Sequence, residues 1–93
     1  MIAFKIVGDM PTLALVYFLN EGPKRFSELE KLTRINPSTM TSRLKHMHAL
    51  GLVERKEQEA DNQSVSYGLT SLGSKIVPIV QQIESFADQL PES

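Results

Sequence analysis

Between Asn36 and Gly51 the sequence interleaves small hydroxyls and cations with an apolar stripe. Pro37, Ser38, Thr39, Thr41, Ser42, Arg43, Lys45 and His46 are set among Met40, Leu44 and Met47. Serine and threonine hydroxyls bond phosphate oxygens or base edges, and their small size lets a helix approach a groove closely. Arg43 lies one turn beyond Thr39, on the side expected to be exposed, opposite Leu44 and Met47. A guanidinium there can donate two parallel hydrogen bonds to guanine, so Arg43 is the best candidate for a base contact. His46 follows three residues on and could reach a base or a phosphate. The same residues also have a plainer reading, with Ser38 and Thr39 as ordinary first-turn residues and Arg43 as a solvated charge.

Charge is distributed to match. Residues 24–56 carry Lys24, Arg25, Lys31, Arg34, Arg43, Lys45, Arg55 and Lys56 against Glu28, Glu30 and Glu54, a local net of +5. The remainder holds two cations against eight acids, so the whole chain comes to −1. A basic middle between acidic ends is the footprint of a module that meets phosphate on one face. Lys24, Arg25, Arg34, Arg55 and Lys56 are expected to hold the backbone rather than read bases. Glu57, Glu59 and Asp61 repel phosphate, so the segment after Lys56 either touches DNA from its base and side or makes no contact.

Other chemistries are excluded or disfavoured. There is no cysteine among the 93 residues, which removes disulfides, thiolate metal sites and thiol redox chemistry. No GxSxG, Walker loop, GxGxxG or HExxH occurs, so an enzyme is not expected and no cofactor is implied. His46 and His48 are two apart, point to different helix faces and cannot chelate a metal together. Met40 and Met47 read as core residues. The opening MIAFKIVGDM lacks a signal-peptide pattern, and the longest strictly apolar run, Leu13 to Leu19, falls well short of the roughly 18 residues of a membrane span. A cytoplasmic protein with no membrane contact is expected.

The elements that would position these residues are marked by caps and breaks. Asp9-Met10-Pro11 starts a helix, Thr12 to Asn20 is apolar on almost every side, and Gly22-Pro23 ends it. Lys24-Arg25-Phe26 is a short extended link. Ser27-Glu28-Leu29-Glu30 has a capping-box pattern and opens a second helix to about Thr33, with Phe26, Leu29, Leu32 and Ile35 on one side. Asn36-Pro37 caps a third, whose stripe Met40, Leu44, Met47 extends to Leu50 before Gly51. Leu52 to Lys56 is a strand, Glu57 to Ser64 a loop, and Val65 to Leu69 an alternating strand. Thr70 caps a last helix with a seam of Leu72, Ile76, Ile79, Ile83, Phe86 and Leu90, kinked or split near Ser74–Pro78.

This order gives a mainly α fold with a small β-hairpin wing, a winged helix-turn-helix. Ninety-three residues suit one domain, with the helix-turn-helix at about 27–51, the wing at about 52–70 and the C-terminal helix at about 71–90.

The stretch Gly22-Pro23-Lys24-Arg25-Phe26-Ser27-Glu28-Leu29 resembles the signature of HxlR-type winged-helix regulators, relatives of the MarR group. The resemblance continues through Asn36 to Lys45, Leu50 to Arg55 and Tyr67 to Gly73, and covers about Gly8 to Leu90. It implies a homodimeric transcriptional regulator that binds double-stranded DNA at a palindromic site. Two departures stand out. Oxidant-sensing members use a cysteine near the N-terminus, which this chain lacks. The family's Gly-Lys-Trp before the first long helix is replaced here by Gly8-Asp9-Met10.

Homodimerisation is also expected from surplus apolar surface. The first helix and the C-terminal seam together exceed what one small core covers, and residues 1–7 would join them. Any small-molecule effector would bind between subunits or beside the wing. The competing reading is a winged helix that makes protein contacts within a larger complex, without DNA specificity of its own.

Overall fold

The computed structural model describes residues 9–58 and 61–91. Residues 1–7, expected at an interface, lie outside them. Helix α1 (Met10–Leu19) begins where Asp9 accepts a hydrogen bond from the Thr12 N–H at 3.0 Å. It buries Thr12, Leu15, Val16 and Leu19, a spacing of 3, 1 and 3 that marks one helix face. Burial on more than one face is therefore not what the chain achieves alone, because Met10 and Tyr17 stay exposed.

After Gly22, whose φ of +138° makes the turn, Lys24–Arg25 forms a short strand, β1. Helix α2 (Phe26–Thr33) starts two residues earlier than its Ser27 capping motif suggests. The cap is Arg25, whose N–H donates to Glu28 Oε1 at 2.9 Å, while Ser27 is already helical and exposed. Of the four apolar residues placed on one side, Leu29 is buried, Phe26 and Ile35 are half-buried, and Leu32 is exposed. The turn to the next helix is set by Arg34 in the left-handed region, φ 57°, and by Thr33. The Thr33 hydroxyl donates to the Leu29 carbonyl and accepts from the Ile35 N–H.

Helix α3 (Pro37–Ala49) has Asn36 as its cap, accepting from the Ser38 N–H at 2.8 Å. Met40, Leu44 and Met47 are fully buried, but Leu50 has passed the helix end and is exposed. Gly51, at φ +77°, reverses the chain. Strand β2 (Val53–Gln58) then pairs with β3 (Asp61–Leu69), and β1 adds to the far side of β3. The sheet is antiparallel in the order β1-β3-β2, so the expected hairpin is a three-stranded sheet. The loop expected over Glu57–Ser64 is corrected as well. The ladder runs to Gln58 and resumes at Asp61, with a register shift between Glu57 and Gln58. Ladder hydrogen bonds are made by the backbone, so polar side chains do not end them.

Thr70 caps α4 (Ser71–Ser74) by accepting from the Gly73 N–H at 3.1 Å. A turn at Lys75 and Ile76 separates α4 from α5 (Val77–Ala87), which carries Pro78 in its first turn. The seam is split at the expected place. Ile76 turns inward with Val80, while Leu72 faces out. Leu15, Val16 and Leu19 meet Leu29, Met40, Leu44, Met47, Leu52, Val53, Ile76 and Val80 in one core cluster. Helices α2 and α3 joined by a tight turn, followed by a paired β2–β3, make this a winged helix-turn-helix.

Candidate nucleic-acid interface

The position of each polar side chain on α3 follows from the core stripe. Successive residues turn by about 100°, so with Met40, Leu44 and Met47 inward, Ser38, Ser42 and Lys45 point directly outward. Thr41 and His46 flank that ridge, and all five are exposed. Thr39 is half-buried on the His46 side. The Ser38 hydroxyl donates to Asn36 Oδ1 at 2.7 Å, which adds to the cap and leaves the hydroxyl oxygen free to accept. Pro37 stands exposed at the tip of the helix. Three hydroxyls and a lysine on the outer face of a helix give it donors and acceptors for phosphates and base edges with little steric bulk.

Arg43 is not on that ridge. It adjoins the core stripe, its side chain is only 33% exposed, and its Nε–H donates to Asp9 Oδ2 at 2.5 Å. The expectation that Arg43 lies opposite Leu44 fails for a geometric reason. Neighbouring helical residues are about 100° apart, not 180°. Partial burial would raise the Asp9 carboxyl, but hydrogen bonds from Thr12 and Arg43 outweigh it and hold the group below its ordinary value. The folded state therefore favours the charged carboxylate. Its contribution to stability is complete above the ordinary carboxylate range and is lost as pH falls through the lowered pKa.

The sheet brings two further cations together. Arg25 on β1 and Lys56 on β2 both pair in register with Ser66 on β3, forming one row across three strands. Strands about 4.8 Å apart put the two cationic positions roughly 10 Å from each other on one face. Arg25 and Lys56 are exposed. The next row, Lys24–Tyr67–Arg55, points to the other face, the one on which Val53 and Leu69 meet the core. Here the cations have nearby acids. Lys24 lies 3.3 Å from Glu21, and Arg55 lies 2.8 Å from Glu57. Among the described residues Lys56 pairs only with Glu54, at 4.0 Å. Among the described residues no acid forms an ion pair with Arg25, Arg34 or Lys45. The candidate site thus combines the α3 ridge, Arg34 at its entry, and the Arg25–Ser66–Lys56 row on the sheet face away from the core. Ser66 in this row and Asp9 as the partner of Arg43 are not anticipated by the sequence. Strand register and a contact spanning 34 residues carry no local sequence signal.

Among the described residues no group of His, Asp and Glu could hold a metal, and no helix is long and apolar enough to cross a membrane.

Comparison with known proteins agrees with this architecture. The HxlR-like helix-turn-helix family model matches residues 6–93. The chain is 31% identical over 91 residues to the HTH-type transcriptional regulator YodB of Bacillus subtilis (strain 168), covering 97% of this chain and 81% of that one. It is 34% identical over 80 residues to YkvN, an HTH-type transcriptional regulator of the same organism, covering 85% and 68%. Among solved structures, the redox regulator HypR in its oxidized form superposes with a TM-score of 0.90 at 26% identity, covering 99% of this chain and 96% of that one. A MarR-family regulator from Porphyromonas gingivalis W83 does so with a TM-score of 0.87 at 27% identity, covering 96% and 88%.

Proposed function

The chain belongs to the HxlR-like helix-turn-helix family of transcriptional regulators, which are not enzymes, and on that premise we propose that it is a homodimer that binds a palindromic operator in double-stranded DNA. The observation that carries this reading is the α3 ridge. Ser38, Ser42 and Lys45 face outward from a well-capped helix, and among the described residues no acid pairs with the exposed Arg25 and Arg34. In this reading α3 enters the major groove. The Arg25–Ser66–Lys56 row holds the adjacent phosphates, and the single winged-helix unit acts in the cytoplasm, where an operator is accessible.

Dimerisation is supported by surface that one chain leaves uncovered. Ile79, Ile83, Phe86 and Leu90 are 56%, 51%, 61% and 53% exposed, at helical spacing along α5 and its end. Beside them a groove of about 280 Å³ runs between α1 and α5, with Leu13, Tyr17 and Phe18 on one wall and Val80 and Ile83 on the other. A two-fold axis through this face would cover it and set two α3 helices one DNA turn apart, about 34 Å. This chain has no cysteine, so no thiol-based response to oxidants is proposed for it.

The test is duplex binding measured across a series of salt concentrations. Affinity is expected to fall steeply with salt, because phosphate contacts release counterions. Arg25→Ala is expected to weaken binding alike on all sequences and to lower the salt slope by about one unit. Salt-independent binding, or no binding to duplex at low salt, would contradict the reading.

A further inference from the structure

Asp9 uses both carboxylate oxygens. Oδ1 accepts from the Thr12 N–H and fixes the start of α1, and Oδ2 accepts from Arg43 Nε on α3. The two residues are 34 apart in sequence, and this ion pair joins the first helix directly to the helix with the outward ridge. Both side chains are about one-third exposed, and a pair so exposed to solvent adds little to stability. Its consequence is geometric. A guanidinium is a rigid planar fork, so a carboxylate on Nε sets the plane of the whole group and leaves the terminal Nη atoms as donors. Among the described residues, Asp9 is the sole hydrogen-bond and ion-pair partner of the Arg43 side chain. Thr39 and His46, the residues flanking Arg43 on the same side of α3, are polar, the first half-buried and the second exposed.

We propose that Asp9 is a specificity-determining positioning residue, which holds the Arg43 guanidinium in one orientation so that its Nη edge meets a single base or base step beside α3. This rests on the reading of α3 as the groove-binding helix. An arginine already held in place loses less side-chain freedom on binding than a free one. The carboxylate also repels phosphate and so disfavours use of Arg43 as a general backbone contact. Together these effects increase discrimination rather than bulk affinity. Because Asp9 is anchored to the first turn of α1, the aim of Arg43 follows the seating of α1, whose outer side carries the exposed Met10 and Tyr17.

The test is a double-mutant cycle on two duplexes, a consensus site selected with the wild-type protein and a random sequence of equal length. Asp9→Asn keeps a good helix cap but removes the charge on Arg43. It is expected to reduce the ratio of consensus to random affinity about three- to tenfold while random binding holds or rises. Arg43→Ala is expected to lower consensus binding about 5- to 150-fold. In that background Asp9→Asn should change binding by no more than about twofold. Asp9→Ser, a shorter cap, should repeat the Asp9→Asn result and guards against an effect peculiar to asparagine. An unchanged ratio in both Asp9 variants would reduce Asp9 to a helix cap and overturn the proposal. Tighter binding to both duplexes alike would make Asp9 a competitor for Arg43 and also overturn it. Failure of the wild-type protein to bind either duplex would remove the groove-binding reading itself, and the proposal with it.

Discussion

Ile83→Asp combined with Phe86→Asp is expected to leave a folded monomer near 10.4 kDa that binds a two-half-site operator at least about a hundredfold more weakly than the wild-type protein. Both side chains are more than half exposed in the single chain, so removing them costs the monomer little of its own core. In a two-fold interface each substitution appears twice, once from each protomer, and places unpaired carboxylates in an apolar contact. Losing the second half-site then removes the effective-concentration gain of linked binding, which spans about two to four orders of magnitude. Sedimentation reports the mass, circular dichroism the retained fold, and duplex titration the affinity. A wild-type mass near 10.4 kDa at micromolar concentration would rule out the dimer outright.

Gly73→Ala is the single substitution expected to do most harm to the fold. Gly73 is buried in α4, and a Cβ built there would stand 1.9 Å from the Leu52 carbonyl oxygen. That oxygen accepts the Thr70 N–H at 3.0 Å, and the Thr70 hydroxyl holds the Gly51 carbonyl, so it belongs to a fixed corner between α3, the sheet and the C-terminal helices. Backbone atoms on both sides leave no flexible side chain to yield. Overpacking of this kind costs about 3 kcal/mol or more, which in a domain this size lowers the melting temperature by roughly 12 °C or more. A thermal melt checks it. A shift of only a few degrees would mean that α4 can slide away from Leu52.

Much of the architecture was legible because it is written in local signals. Asn36-Pro37 announces α3 through a side-chain cap and a preset φ, and both are realised. Gly22 and Gly51 mark turns because each adopts a positive φ. The interruption before Pro78 follows from proline's missing donor and ring clash. What escaped the sequence is what neighbours in space decide. Ser27 has the side chain of a cap, yet Arg25 takes that place because β1 pairs with β3 and keeps Arg25 extended. The polar run after Lys56 looks like a loop, since its pairing is carried by backbone groups that side-chain pattern does not report. Leu32 and Leu50 keep the helical spacing but fall at helix ends, where the stripe has turned away from the core. Arg43 was expected on the exposed side of α3 but adjoins the core stripe, and its partner Asp9 lies too far along the chain for any spacing to reveal.

Selection of binding sites from a pool of random duplexes tests dimeric groove reading most directly. If two α3 helices enter successive major grooves, the recovered sequences will converge on an inverted repeat with half-site centres about 10 base pairs apart. Retention will weaken steeply as salt is raised. A pool that stays random after repeated rounds, from a protein that is folded and dimeric, would contradict it.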